Sequence, residues 1–521
     1  MYPLVWASVL SGLIGLLLSQ PVLAAPELPQ VPHTRVIVRV CPGVTVLPDR
    51  PGFTGPGATQ AQIEACSRLL RTGRASNIRR VLSPLNTERA ARIGLDRYYS
   101  IEVRGDATQV AQSLREFVTL FEVVEIDVPI QAALGLGGPQ DAGAVLRPND
   151  PLFAAQWSLE NTGQNVGGVW GTPGADVGAV EAWEFTRGKE RVIVAVLDSG
   201  ISFSHPDLAG QLVQGINLTS TDTADVDDPW VSHGTHVAGI IAARQGNGEG
   251  ITGLAPGCRL MPVKIINRFN WTLEEWLAQG VVWATDHGAM VLNISLGFPS
   301  ATSLQRAAIR YAYESDVVIC ASSGNIGSDP IGYPARLDET IAVGATNNLD
   351  EVTAFTSTGP ALTLCAPGRD VVSTWDTETA PDTYHWSSGT SFSTPHVAAA
   401  AALVRSLNPR LTAAQVRRVL AVTCRDLGEP GRDDSSGWGR LDVPAALALA
   451  LTYPLEGQAV CLADRNGDGS VDFTDLQMFL EAFSERRIEA DWNNDGAFTI
   501  HDILAYLNDY ESGCPQTLSV P

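Results

Sequence analysis

Three residues far apart in the chain have the types needed for nucleophilic attack on a carbonyl: a carboxylate, an imidazole and a hydroxyl. Asp198 closes the apolar, β-branched run at 192–197 and opens Asp198-Ser199-Gly200. His233 opens His233-Gly234-Thr235-His236-Val237-Ala238-Gly239, which runs on into an apolar stretch. Ser391 lies in Gly389-Thr390-Ser391-Phe392-Ser393-Thr394-Pro395, ahead of the Ala-rich run 397–407. The first run has the length of a buried strand, and open α/β sheets place their sites at the carboxyl ends of strands. The other two residues precede helix-like runs, where unpaired N–H groups and the helix dipole favour developing negative charge. In such a set the serine attacks, the histidine takes its proton, and the carboxylate holds the imidazole tautomer and stabilises the imidazolium. Each residue alone is more often structural, the serine as an ordinary N-cap. Their conjunction is what points to chemistry.

The elements that must position them are legible as alternation. Strand-like runs at 192–197, 260–266, 289–294, 316–321 and 340–345 are separated by helical patterns. That order predicts an α/β unit, a parallel sheet with helices on both faces.

The chain order Asp, His, Ser, with the motifs D-S/T-G, H-G-T-H-V-A-G and G-T-S-x-x-x-P, resembles the subtilisin-like serine proteases (subtilases), thermitase-like members in particular. The resemblance implies a secreted serine endopeptidase with Asp198, His233 and Ser391 as its triad. Ala321-Ser322-Ser323-Gly324-Asn325 resembles the family segment that ends in the oxyanion asparagine. Asn325 and the Ser391 backbone N–H are then the expected oxyanion donors. Asn293-Ile294-Ser295-Leu296-Gly297 resembles the segment that pairs with an extended substrate, which assigns Ser295, Leu296 and Gly297 to substrate binding. Gly324 and Gly332 would form the facing wall. Small residues there, and Ile326 where some relatives carry a charge, imply a large apolar side chain before the cleaved bond. Phe298 departs from the family by replacing its second glycine. Asp150, Asp207 and Asn247 match the ligands of the family's tight Ca²⁺ site, a hard-oxygen set. Phe392 stands where many members carry methionine.

Composition bounds the rest. The 521 residues suggest two to four domains. The formal net charge of −22, from 35 basic and 57 acidic residues, argues against nucleic acid as a partner. Residues 1–24 read as a signal peptide, with an apolar core and a small-residue cleavage pattern. No later segment reads as a membrane span, so the mature form is expected outside the cell or at its surface, as a monomer acting on proteins or peptides. Residues 33–131 show alternating and helical patterns of a small α+β unit. Ahead of a subtilisin-like domain at 148–452, such a unit resembles the inhibitory propeptide of secreted members. The Gly- and Pro-rich stretch within 132–147 is the expected linker and processing site.

The tail, 461–514, carries a repeated acidic loop. Asp464, Asn466, Asp468, Ser470 and Asp475 recur 27 residues later as Asp491, Asn493, Asp495, Ala497 and Asp502. Both copies have Gly at loop position 6, the turn of a Ca²⁺-binding loop. Duplicated loops closing on Asp, with Gly513-Cys514 behind them, resemble the dockerin module, a small all-α pair of calcium loops. That implies bound Ca²⁺ and a cohesin-bearing scaffold or surface protein as partner. Eight cysteines in an exported chain suggest disulfides. Cys41 is expected to pair with Cys66 and Cys461 with Cys514; the pairing of Cys258, Cys320, Cys365 and Cys424 is open. The alternative reading is a catalytically inactive, scaffold-bound binding protein, which the intact triad and Asn325 oppose.

Overall fold

The computed structural model describes residues 34–131 with short gaps at 48–50, 73–74, 83–85, 104–106 and 128–129. It also describes 147–453 with gaps at 220–225, 328–330 and 378–379 and, in the tail, 473–484, 490, 500, 503–504, 506–507 and 510. The expected signal peptide, nearly all of the expected 132–147 linker and the expected Cys461–Cys514 pair lie outside these residues. So do the loop positions Asp464, Asn466, Asp468, Ser470, Asp491, Asn493, Asp495, Ala497 and Asp502. Asp475 falls within the tail helix Phe473–Ser484.

The central unit is built on strand Ile193–Asp198, flanked in parallel by Arg259–Lys264 and Val291–Ile294. Ile216–Asn217 extends the sheet on one side; Val318–Ser322, Ile341–Thr346 and Leu364–Pro367 extend it on the other. All seven strands are parallel. The five expected strands therefore form, within two residues of their expected bounds. Strand residues alternate between two apolar cores. Val194 and Val196 pack with the helices His233–Ala242 and Thr390–Leu407. Ala195 and Leu197 pack with Glu274–Asp286 and Ser303–Glu314. Burial on both faces explains why the run is continuously apolar. The neighbours of Ile193–Asp198 come from opposite directions of strand order, so its carboxyl end is a topological switch point. An antiparallel hairpin, Val371–Thr377 with Ala380–Ser387, packs on the His233–Ala242 helix, where the Ser373 and Thr374 hydroxyls donate to the His236 and Thr235 carbonyls; the sequence reading did not anticipate it.

The first unit is a four-stranded antiparallel sheet with Thr34–Val40 between Tyr98–Val103 and Phe121–Asp127. Helices Gln60–Thr72 and Ala107–Leu114 cover one face. The alternation of Thr34–Val40 reads as a half-buried strand, but both faces are buried. Val36, Val38 and Val40 enter the unit's own core. Ile37 packs against the central unit's Glu274–Asp286 and Ser303–Glu314 helices, with Leu95 and Tyr98 beside it. On that same face Arg35 reaches the buried Glu275, Nη1 to Oε2 at 3.0 Å. Arg79 also reaches Glu275, and the Ser100 hydroxyl donates to it at 2.9 Å. Glu125 caps the start of the Ser303–Glu314 helix by accepting the Ser303 N–H at 2.9 Å.

The Cys41–Cys66 disulfide does not form. Cys66 is buried in the helix-facing core, where loss of solvent raises its thiol pKa to about 12. Cys41 turns its sulfur toward the Val118 carbonyl, 3.6 Å away. The apolar core closes the unit without a crosslink. Cys258, Cys320, Cys365 and Cys424 are free as well. In the tail, Phe479, Ala490 and Tyr506 make a small core, with the two rings stacked 3.9 Å apart. Among the described residues, no helix is long and apolar enough to cross a membrane.

Candidate active site

Asp198 ends the central strand and is wholly buried. Its carboxylate accepts the Ser199 N–H at 2.7 Å and faces His233 Nδ1 at 2.8 and 3.0 Å. His233 begins the His233–Ala242 helix, whose close approach to the Asp198 strand depends on Gly234. A Cβ there would lie 2.1 Å from the Gly200 carbonyl and 3.0 Å from Asp198 Cβ. The glycine of the His-Gly-Thr-His motif is thus a packing requirement. Burial disfavours the His233 imidazolium, but the charge and hydrogen bond of Asp198 outweigh it, with Asp228 adding to them, and its pKa is raised.

Ser391 lies in the first turn of the Thr390–Leu407 helix. Pro395 sits inside that helix, lacks an N–H and leaves the Ser391 carbonyl without its usual partner four residues on. The Ser295 hydroxyl takes that place, donating to the Ser391 carbonyl at 2.8 Å. In return the Ser391 hydroxyl donates to the Ser295 carbonyl at 3.1 Å. Among the described residues His233 Nε2 has no hydrogen-bond partner, and it is buried. Nucleophile–base contacts in free enzymes are commonly long and tighten when substrate binds.

Asn325 follows strand Val318–Ser322 and accepts the Thr390 N–H and hydroxyl through Oδ1, both at 2.9 Å. Its oxygen being engaged, the amide N–H₂ is the half left to donate. Ser295, Leu296, Gly297, Gly324, Asn325, Gly332 and Ser391 all line one cavity of about 550 Å³. Phe298 joins the lining, and its backbone pairs with Tyr333 through hydrogen bonds of 2.7 and 2.8 Å. Ile326 is 70% exposed at the rim.

His236 Nε2–H donates to the His385 carbonyl, 2.9 Å away, and its ring meets Phe392 edge-on. Burial lowers its pKa to about 3, so it stays neutral and packs. Asp150, Asp207 and Asn247 are brought together. Asp150 accepts the N–H groups of Gly246 and Asn247 at 2.8 and 3.2 Å. Asp207 accepts the Asn247 side-chain amide at 2.8 Å.

The comparisons with known proteins follow the same residues. The Subtilase family profile matches residues 189–439. Subtilisin DY of Bacillus licheniformis is 40% identical over 242 residues, covering 46% of this chain and 85% of that protein. The chain belongs to the subtilase family. The thermophilic serine proteinase of a Bacillus species is 38% identical over 225 residues, 43% of this subtilase and 55% of that protein. The minor extracellular protease Epr of Bacillus subtilis is 36% identical over 333 residues, 64% of this chain and 48% of that protein. Among solved structures, one described as proteases from Pseudoalteromonas arctica PAMC 21717 aligns with TM-score 0.53 at 28% identity. It covers 58% of this subtilase and 99% of that chain. The subtilase described here is accordingly a subtilisin-like serine endopeptidase.

Some groups at the site were not singled out from sequence. Lys264 is one of only two lysines in the chain and stands opposite Asp198 in the sheet register. A lone lysine at the end of an apolar strand was the available signal. The Ser295 hydroxyl gave none, because its partner is a carbonyl 96 residues away.

Proposed function

We propose that this subtilase cleaves peptide bonds through an acyl-enzyme, with Ser391 as nucleophile, His233 as general base and Asp198 as the group that orients it. The supporting observation is the buried 2.8 Å His233–Asp198 pair at the sheet's switch point. Substrate would pair with the 295–297 segment and place its carbonyl beside Ser391. As the hydroxyl adds, its proton passes to His233 Nε2, and Asp198 stabilises the resulting imidazolium. The oxyanion would form toward Asn325 Nδ2 and the Ser391 N–H. His233 then returns the proton to the leaving amine, and water repeats the sequence on the ester.

The test is titration of the mature protein with a serine-directed fluorophosphonate, with calcium and with chelator. Stoichiometric labelling that is absent in Ser391→Ala is expected. A folded, processed protein that takes no label would overturn the reading. Asn325→Ala should lower kcat by about 10²–10³, the loss measured for this side chain in subtilisin, with KM within a few-fold. Steady-state kinetics on a peptide anilide would show it.

The cavity's apolar lining supports a large apolar residue before the cleaved bond. Phenylalanyl or leucyl anilides should exceed arginyl ones by at least tenfold in kcat/KM, and a reversed order would reject this specificity. Phe392 leaves no thioether beside the nucleophile. Activity should therefore survive a peroxide treatment sufficient to oxidise exposed methionine; rapid loss with Ser391 still titratable would count against it.

The first unit is read as an inhibitory propeptide. In its support, the unit's last described strand, Ile130–Gln131, adds antiparallel to Trp271–Thr272 of the central unit. That is the pairing mode of a bound peptide. Asp150 and Asp207, buried carboxylates beside Asn247, fit a Ca²⁺ site in donor chemistry; burial raises the Asp150 pKa, and the Asp207 charge adds to it. The ion would offset the negative charge of the two carboxylates and would tie the 246–250 loop to residue 150. We read the tail as a dockerin-like tether that binds Ca²⁺ and a cohesin-type partner of an exported enzyme.

A further inference from the structure

Asp228 is a buried carboxylate that the triad mechanism does not use. It is fully enclosed, as are Ser199 and, nearly, Lys264. The Ser199 hydroxyl stands between two carboxylates, 2.7 Å from Asp228 Oδ2 and 3.2 Å from Asp198 Oδ1. The same oxygen accepts the Gly234 N–H at 2.9 Å, from the helix that carries His233. Lys264 clamps the group from the next strand, donating to the Ser199 carbonyl and, at 3.0 Å, to the Asp227 carbonyl.

A hydroxyl has one proton, so it can serve only one of these carboxylates at a time. We propose that Asp228 is a positioning residue for the proteolytic reaction, acting on Asp198 through the direction of the Ser199 hydroxyl. With Asp228 ionised, the proton points to the nearer Oδ2. Asp198 then keeps its charge for the imidazole, sharing it only with the Ser199 N–H. With Asp228 neutral, Ser199 turns to Asp198 Oδ1 and draws charge away from His233. Loss of the Asp228 charge weakens the imidazolium in the same sense.

The groups facing this site are Asp198 on the central strand, Lys264 on its neighbour, Asp227 in the adjoining loop and His233 on the helix. His236, one turn on, is neutral. Burial raises the Asp228 pKa to about 7, against the opposing pull of Lys264 and the Ser199 hydrogen bond.

The inference rests on the triad reading, so the experiment separates the two. The mature enzyme, Asp228→Asn, Ser199→Ala and the double variant are each titrated with fluorophosphonate, and kcat/KM on a peptide anilide is then followed from pH 5 to 9. Failure of the unmodified enzyme to label would overturn the protease reading. Given labelling, Asp228→Asn should move the acid limb down by about 0.5–1 pH unit. Ser199→Ala, which removes the competing donor and leaves the Asp228 charge in place, should keep the limb within about 0.2 unit of the unmodified enzyme. The double variant should move it less than Asp228→Asn alone, because no hydroxyl is left to turn to Asp198. An acid limb within 0.2 unit of the unmodified enzyme in a labelling Asp228→Asn, or a fall in Ser199→Ala equal to that in Asp228→Asn, would overturn the proposal. A double-variant shift as large as that of Asp228→Asn would overturn the route through Ser199. A role confined to stability would change the titratable fraction and leave the limb in place.

Discussion

Ser391→Ala should lower kcat by about 10⁶, the loss measured for the corresponding serine in subtilisin. The size follows from how the group acts. Without the hydroxyl there is no acyl-enzyme, and His233 has no proton to take. What remains is the cavity and the oxyanion donors, which together are worth roughly 10³–10⁴ over water. Substrate affinity should change little, because the alanine methyl occupies the same first-turn position and Asn325 stays held by Thr390. Burst-free kinetics with an unchanged inhibition constant for a bound peptide product would match this account. A variant retaining a tenth of the activity would mean that another group supplies the nucleophile.

The second large effect is expected away from the chemistry. Glu275→Ala should weaken the hold of the first unit by roughly 10² to 4 × 10³. Glu275 is fully buried and receives Arg35, Arg79 and the Ser100 hydroxyl, all from the first unit. Arg35 is itself only 7% exposed. Truncating one member of a buried, hydrogen-bonded charge group costs about 3–5 kcal/mol, most of it from the charge left behind. At about 1.4 kcal/mol per factor of ten, that gives the stated range. The measurement uses the Ser391→Ala chain, cut in the 132–147 segment by a second protease and then diluted. The fraction of the first unit still bound gives the affinity with and without Glu275. Affinities within twofold of one another would show that the apolar contacts of Ile37, Leu95 and Tyr98 carry the interface alone.

These two predictions mark what the sequence could and could not carry. Ser391, His233 and Asp198 were legible because each sits in a short motif whose glycines and flanking runs obey local packing rules. Gly234 is the clearest case, since the need for hydrogen instead of a methyl group comes from the Asp198 strand itself. The five expected strands were legible for a similar reason, being apolar on both faces. Arg35-Val36-Ile37-Val38-Arg39 misled, because an arginine at each end of one strand face makes that face read as solvated. The group that buries Arg35 lies 240 residues further on and leaves no local periodicity. The same holds for Asp228, which in the sequence is one aspartate in an acidic loop. Cys41 and Cys66 failed in the other direction: composition suggested a crosslink, and apolar packing had already closed the unit.

Pro395 has a consequence beyond its effect on the helix. By withholding one N–H it hands the Ser391 carbonyl to Ser295, and the two serines are tied by a pair of reciprocal hydrogen bonds. The segment that would read the substrate is therefore fastened to the residue that would cut it. A peptide that seats out of register would pull the nucleophile along with the wall of the cleft. Misfit would then appear as slow turnover more than as weak binding, and selectivity among tightly held sequences becomes a property of one backbone oxygen.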